Sequence, residues 1–152
     1  MSLSPRSYPT RQLIVDEARR WIGTPYMHQA SVFQVGCDCL GLVRGVWRAV
    51  VGPEPEKPSV YSPDWAEAGS ADRLLEAGRR HFKEADMGNW RAGDVLVFRW
   101  QAHAAAKHLG VATSPATMIH AHEGASVCEI TVGHLWRRKL AAVFEFPGVR
   151  DS

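Results

Sequence analysis

The order of the hydrophobic periods along the chain limits its fold more than any other feature. Up to about residue 85 the apolar residues recur at helical spacing, and after Asn89 they fall into short β-rich runs. Ile14, Ala18, Trp21 and Ile22 keep a helical face between Thr10, a residue suited to an N-cap, and Gly23, a helix stop. This predicts a first helix over 11–22, after which Thr24-Pro25 forces extended backbone through Tyr26. Cys39, Leu42, Val43, Val46, Trp47 and Val50 form the buried stripe of a second helix that begins at Asp38 or Cys39. A third helix, over about 71–85, sets Leu74, Leu75, Gly78 and Phe82 on one side. The runs 94–98, 108–111, 118–121, 127–130 and 142–146, separated by turn residues, read as strands. Helices followed by a succession of antiparallel strands define an α+β fold.

Length and composition narrow the class further. At 152 residues the chain is expected to be a single domain, 1–152, with an N-terminal tail over 1–10. The stretch 52–65, rich in proline and charge, is expected to be a long surface connection. A content of 45% hydrophobic and 22% charged residues excludes a disordered chain. The net charge of +2 is too small to call for nucleic acid, so no nucleic-acid partner is expected. Arg137-Arg138-Lys139, the densest basic cluster, reads as a solvated face or a docking patch on a larger assembly. The first residues lack the apolar core of a signal peptide, and no segment approaches a membrane span. Synthesis in the cytoplasm, with no membrane insertion, is the expectation. Three cysteines cannot form a complete intramolecular disulfide framework, which suits a reducing compartment.

The stretch VGCDCLGLV, 35–43, holds the most reactive chemistry. Cys39 sits where the second helix begins, so the helix dipole would lower its thiol pKa and its N–H could hold an oxyanion. Cys37 precedes the helix and lies outside its stripe. The alternative for Cys39 is plain packing on an apolar face. A base is found among the histidines. His108 and His120 flank Thr113-Ser114-Pro115, and a three-residue hairpin loop there would place the two directly opposite each other on one face of the sheet. His120 could then orient His108 as the third member of a triad, although a loop of even length would break this register. Both could otherwise be satisfied structural side chains. His103 and His122 show no telling spacing and read as structural, and Cys128, alternating within a strand, is expected to be buried. Cys37 and Cys39 with His120 and His122 make a donor set that zinc would accept, but C-x-C is shorter than the usual spacing. No metal and no cofactor are expected. A Cys37–Cys39 disulfide is disfavoured by the strain of so small a ring.

In order along the chain, these segments resemble the NlpC-type cysteine peptidases, a family of peptidoglycan hydrolases with a papain-like fold. WIGTPY (21–26) is similar to the family's Gly-Thr-Pro-Tyr block, and DCLGLV (38–43) to its Asp-Cys-Ser-Gly-Leu-Val nucleophile motif. NWRAGDVLVF (89–98) resembles the Gly-Asp-Leu segment that opens the sheet, HLGVAT (108–113) the His-Val-Gly strand, and MIHA (118–121) the strand with the third polar residue. The resemblance spans about 11–145. It implies a fold of N-terminal helices packed on an antiparallel sheet, with Cys39 as nucleophile, His108 as general base and His120 as the residue that orients the base. It also places Tyr26 and Asp38 beside the nucleophile, Tyr26 for substrate or oxyanion contact and Asp38 chiefly as the start of the helix. Leu40 departs from the family's serine and puts substrate contacts in question.

DCLGLVRGVWR, followed by YSPDW (61–65), looks more like the subgroup encoded with phage tails and gene-transfer-agent particles. The expected function is therefore a cysteine endopeptidase cutting peptidoglycan peptide stems, at the γ-D-glutamyl–diaminopimelate bond by family likeness, from a phage-like tail tip delivered to the periplasm or cell wall. The expected partners are peptidoglycan and tail-tip or hub proteins. The alternatives are an amidase of similar fold and a structural hub module with little hydrolysis.

Overall fold

The computed structural model describes residues 8–56 and 72–151. Most of the predicted tail and residues 57–65 of the predicted surface connection lie outside the described residues. Three helices precede the main sheet: α1 (Arg11–Arg20), α2 (Cys39–Val50) and α3 (Arg73–His81). Each is capped by the residue before it, with the Thr10, Asp38 and Asp72 side chains accepting from the N–H groups of Leu13, Gly41 and Leu75. Between α1 and α2 a small hairpin, β1 (Ser31–Val32) and β2 (Gly36–Cys37), packs against α2.

The main sheet is antiparallel and six-stranded. Its strands are β3 (Lys83–Ala85), β4 (Val95–Phe98), β5 (His108–Ser114), β6 (Thr117–His120), β7 (Cys128–Thr131) and β8 (Leu140–Glu145), in the spatial order β3-β8-β4-β5-β6-β7. A short helix α4 (His134–Arg138) links the last two in sequence. Side chains alternate across the sheet. Val95, Val97, Leu109, Val111 and Ile119 pack against Ile14, Ala18, Leu42 and Val46 of the helices. Leu96, Phe98, Ala112, Met118 and Val143 face the other way, toward Trp90, Val132 and Trp136. The helices approach closely because residue 45 is glycine: a Cβ there would overlap the Trp21 indole.

The predicted third helix runs too long. It stops at His81, Phe82 is extended, and Lys83–Ala85 pairs with Glu145–Val143 at the sheet edge. Pairing with β8 is a tertiary gain that local periodicity does not register. Ile22 is also misplaced by the predicted stripe: α1 ends at Arg20, and Ile22 is exposed. Arg11, a mere helix start in the sequence, is instead buried and ties α1 to the sheet. Its Nη1 donates to Asp94 Oδ1 at 2.7 Å and to the Ala92 carbonyl at 3.0 Å, and its Nη2 to Glu145 Oε2 at 3.2 Å.

Candidate active site

The start of α2 is built around a buried carboxylate. Asp38 accepts from the Gly41 N–H at 2.7 Å on one oxygen and from the Gln29 N–H at 2.8 Å on the other. Gln29 is held in the left-handed region at φ 65°, so Asp38 fixes the turn that brings the small hairpin onto the helix. Gly41 permits the approach, since a Cβ there would overlap the Ala30 carbonyl. Tyr26 forms a bridge with Cys37 on the same side. Burial, with Cys39 and Asp38 nearby, pushes the Tyr26 phenol up to about 12. Asp38, Tyr26 and Cys39 are thus neighbours.

Cys39 is the first residue of α2 and is nearly inaccessible. Its Sγ donates to the Lys107 carbonyl at 3.8 Å and lies near the N–H groups of Leu109, Leu40 and Cys39 itself. Those N–H groups and the helix end favour the thiolate, as the sequence suggests. Burial outweighs them: with the Asp38 charge added, it pushes the thiol up to about 12 rather than down. Cys37, in β2, is fully buried and likewise pushed up to about 12, whereas Cys128 is only partly buried, against expectation. Cys37 and Cys39 are both free thiols.

His108 opens β5 and His120 closes β6. His108 Nε2 and His120 Nδ1 lie 2.8 Å apart, both rings buried. The predicted register does not hold: His120 pairs with Gly110, not His108. The loop has two residues, Pro115 and Ala116, and Thr113 is bulged out between the pairs Ala112–Met118 and Ser114–Thr117. The bulge restores the odd count, so the two histidines still share a face, as diagonal rather than direct neighbours. Thr113 is pinned by Oγ1 donating to Glu129 Oε2 at 2.7 Å, with Thr117 Oγ1 2.5 Å away.

Phe98 is the cross-strand partner of His108, so the His108 side chain leaves β5 on the face of Phe98, whereas Leu109 faces the helices. Cys39 Sγ reaches the same end of β5, at the carbonyl of Lys107, the residue before His108. The His108 ring lies in an aromatic box that the sequence did not reveal. Trp100 stacks on His108 at 5.5 Å and 27°. Trp136 of α4 lies 5.4 Å from His108 and stands edge-on to His120 at 5.3 Å. His122, read from sequence as structural, brings its ring to 5.5 Å from His108 and 5.7 Å from His120. Its place two residues beyond His120, in phase with it, was the available signal. Burial, then the charges of His120 and His122, hold His108 well below the ordinary imidazole range, and burial and His122 bring His120 down to about 4. His103 is exposed, outside this cluster. The zinc alternative required Cys37, Cys39, His120 and His122 around one point. Among the described residues no group of three or more His, Cys, Asp or Glu is so placed.

A sequence model of the NlpC/P60 family matches residues 23–145. The gamma-DL-glutamyl hydrolase of Bacillus subtilis (strain 168) is 26% identical over 137 residues, which is 88% of this chain but 29% of that protein. The chain thus spans under a third of the length of this curated relative. The crystal structure of the NlpC/p60 domain of the peptidoglycan hydrolase SagA superposes with a TM-score of 0.63 at 24% identity, covering 90% of this chain and 99% of that one. An NlpC/P60 family protein from Bacillus cereus ATCC 10987 gives 0.69 at 17% identity, over 93% of this chain and 41% of the other.

Proposed function

The chain belongs to the NlpC/P60 family, and from that premise we propose that it is a cysteine peptidase that hydrolyses the peptide stems of bacterial peptidoglycan. The observation that carries the residue roles is the 2.8 Å His108–His120 contact beside the main chain that Cys39 Sγ touches. His108 Nε2 faces His120, which leaves Nδ1 to take the thiol proton. That requires His108 to carry its hydrogen on Nε2 and donate it to His120 Nδ1, so His120 selects the base-competent tautomer.

With thiol and imidazole both neutral at rest, attack and proton transfer are coupled. Sγ forms a bond to the amide carbonyl carbon as its proton passes to His108 Nδ1. The oxyanion is met by N–H groups at the start of α2. Collapse breaks the C–N bond, and the leaving amine takes the proton from His108. A water deprotonated by His108 then cleaves the thioester and regenerates the thiol. At rest Sγ donates to Lys107, and the thiol–imidazole contact forms as substrate binds; such bonds commonly tighten only in the complex. Tyr26 and Asp38 frame the same end of α2, Tyr26 toward substrate and Asp38 as the support of the turn.

The bond cut is proposed to be γ-D-glutamyl–diaminopimelate, in keeping with the name of the curated relative, gamma-DL-glutamyl hydrolase. The cellular role is proposed to be local opening of the wall by a phage-like tail tip, on the likeness of DCLGLVRGVWR and YSPDW to that subgroup. Mass spectrometry of muropeptides from purified sacculi tests the chemistry. Wild type should release fragments cut after D-glutamate, whereas products cut between glycan and peptide would make it an amidase. Cys39→Ala should abolish both, and hydrolysis by folded Cys39→Ala would remove the mechanism. The buried, un-ionised thiol favours a second reading, a hub module with little hydrolysis. Wall penetration by particles carrying Cys39→Ser, equal to wild type, would decide for it.

A further inference from the structure

The proposed mechanism uses two imidazoles, yet the site holds three. His108 and His120 are buried, share one hydrogen bond, and are enclosed by Trp100 and Trp136. His122 lies at the rim of the same cluster, exposed, with its ring 5.5 Å and 5.7 Å from the other two. Its Nδ1 lies 3.2 Å from the Glu123 carbonyl, an acceptor only, so Nδ1 carries a hydrogen and the open lone pair is on Nε2. We propose that His122 is a positioning residue of the active site, which takes the first proton that enters the three-imidazole cluster and so keeps the His108–His120 pair uncharged.

A proton on either buried ring loses hydration, whereas a proton on His122 keeps it. Once His122 is charged, a second charge on the pair would stand within 6 Å of it, across side chains rather than water. Among the described residues, the neighbouring cations Lys139, Arg137 and Arg99 have partners of their own. Lys139 lies against the Trp100 ring at 5.7 Å and donates to the Trp100 carbonyl. Arg137 of α4 is turned away over Trp90 and donates to the Val132 and Pro115 carbonyls. Arg99 pairs with Asp72. The Glu123 carboxylate is next to His122 in sequence and also bears on Tyr26. The directions found for the pair agree, since the His122 charge lowers both His108 and His120. The consequence is a base that stays able to accept the thiol proton as the surroundings acidify.

This inference rests on the catalytic reading only where activity is measured. Imidazole ¹⁵N–¹H NMR titration of the full chain reads the pair directly, in wild type, His122→Gln and His122→Lys. Removing the charge should raise the titration of His108 and His120 by about half a unit to one unit. The lysine variant, charged throughout, should hold both at or below their wild-type positions. With purified sacculi as substrate, the acid limb of kcat/KM should move upward in His122→Gln by the same amount, a loss of about three- to tenfold at a fixed pH below it. A purely structural role would lower activity evenly across pH and leave the limb in place. Unmoved titrations in the folded glutamine variant, or a lysine variant that titrates like glutamine, overturn the proposal. Titrations that move while the acid limb stays would uphold the role of His122 and instead remove His108 as the base.

Discussion

At the scale of single residues, the two cysteines of VGCDCLGLV separate by environment rather than by reactivity at rest. Cys39 is the one that meets a helix start and the main chain of β5, but its thiol is pushed up to about 12 by burial. Alkylation of Cys39 at neutral pH should therefore be slower than that of a free thiol and accelerate steeply in alkali. A fast reaction at neutral pH, followed by peptide mass mapping, would show that a thiolate–imidazolium pair exists before substrate arrives. Cys37 is fully buried in β2 against Tyr26 and makes no contribution to the proposed chemistry. Cys37→Ser should leave kcat/KM nearly unchanged and lower stability by about 1–2 kcal/mol, because a hydroxyl replaces a thiol where no water enters. Urea unfolding beside a hydrolysis assay separates the two effects, and a large activity loss in folded protein would place Cys37 in the mechanism.

At the scale of elements, whether one residue pairs or bulges decides if the site exists. With Pro115-Ala116 as the loop, β5 and β6 would pair in a phase that sends His108 and His120 to opposite faces, were Thr113 paired in the ladder rather than bulged out of it. Deleting Thr113 removes the bulge but keeps the Ala112–Met118 and Gly110–His120 pairs, so it should leave both histidines on one face, preserve the strand content seen by circular dichroism and keep most of the hydrolysis. Thr113→Val keeps the extra residue and loses only the bonds to Glu129 and Thr117. It should cost about 1–2 kcal/mol and keep most of the activity. A large loss of hydrolysis in both folded variants would mean that the Thr113 hydrogen bonds, and not the phase of the strands, hold the site together. The sequence led to the right face for the wrong reason: a three-residue loop and a two-residue loop with one bulge have the same parity, and periodicity does not distinguish them. It missed β3 for a related reason. Lys83–Ala85 is a strand because the edge of β8 is there to receive it.

For the whole molecule, burying titratable groups of opposite kind sets a window of stability. His120 is brought down to about 4, and His108 also lies well below the ordinary imidazole range. Below about pH 6.5 the unfolded chain binds protons at these positions and the folded one does not, so stability falls with falling pH. The loss through His120 runs from about pH 6.5 to about 4 and amounts to a few kcal/mol. At the other end, Cys37 and Cys39, both raised to about 12, stay protonated while unfolded thiols ionise, so stability falls again as pH rises above about 9. Urea midpoints measured across this range should peak between about pH 7 and 9, with the acid side flattened in a His120→Asn variant. The sequence alone determined that helices precede a run of antiparallel strands, the start of α2 at Asp38 and Cys39, and the candidacy of Cys39, His108 and His120. These follow from period, capping and motif, which are local. It took the packed structure to show that burial raises the Cys39 thiol, that His122, Trp100 and Trp136 surround the histidine pair, and that Arg11 is a buried tie. Burial and long-range packing set those outcomes, and neither is written in the spacing of neighbours along a chain.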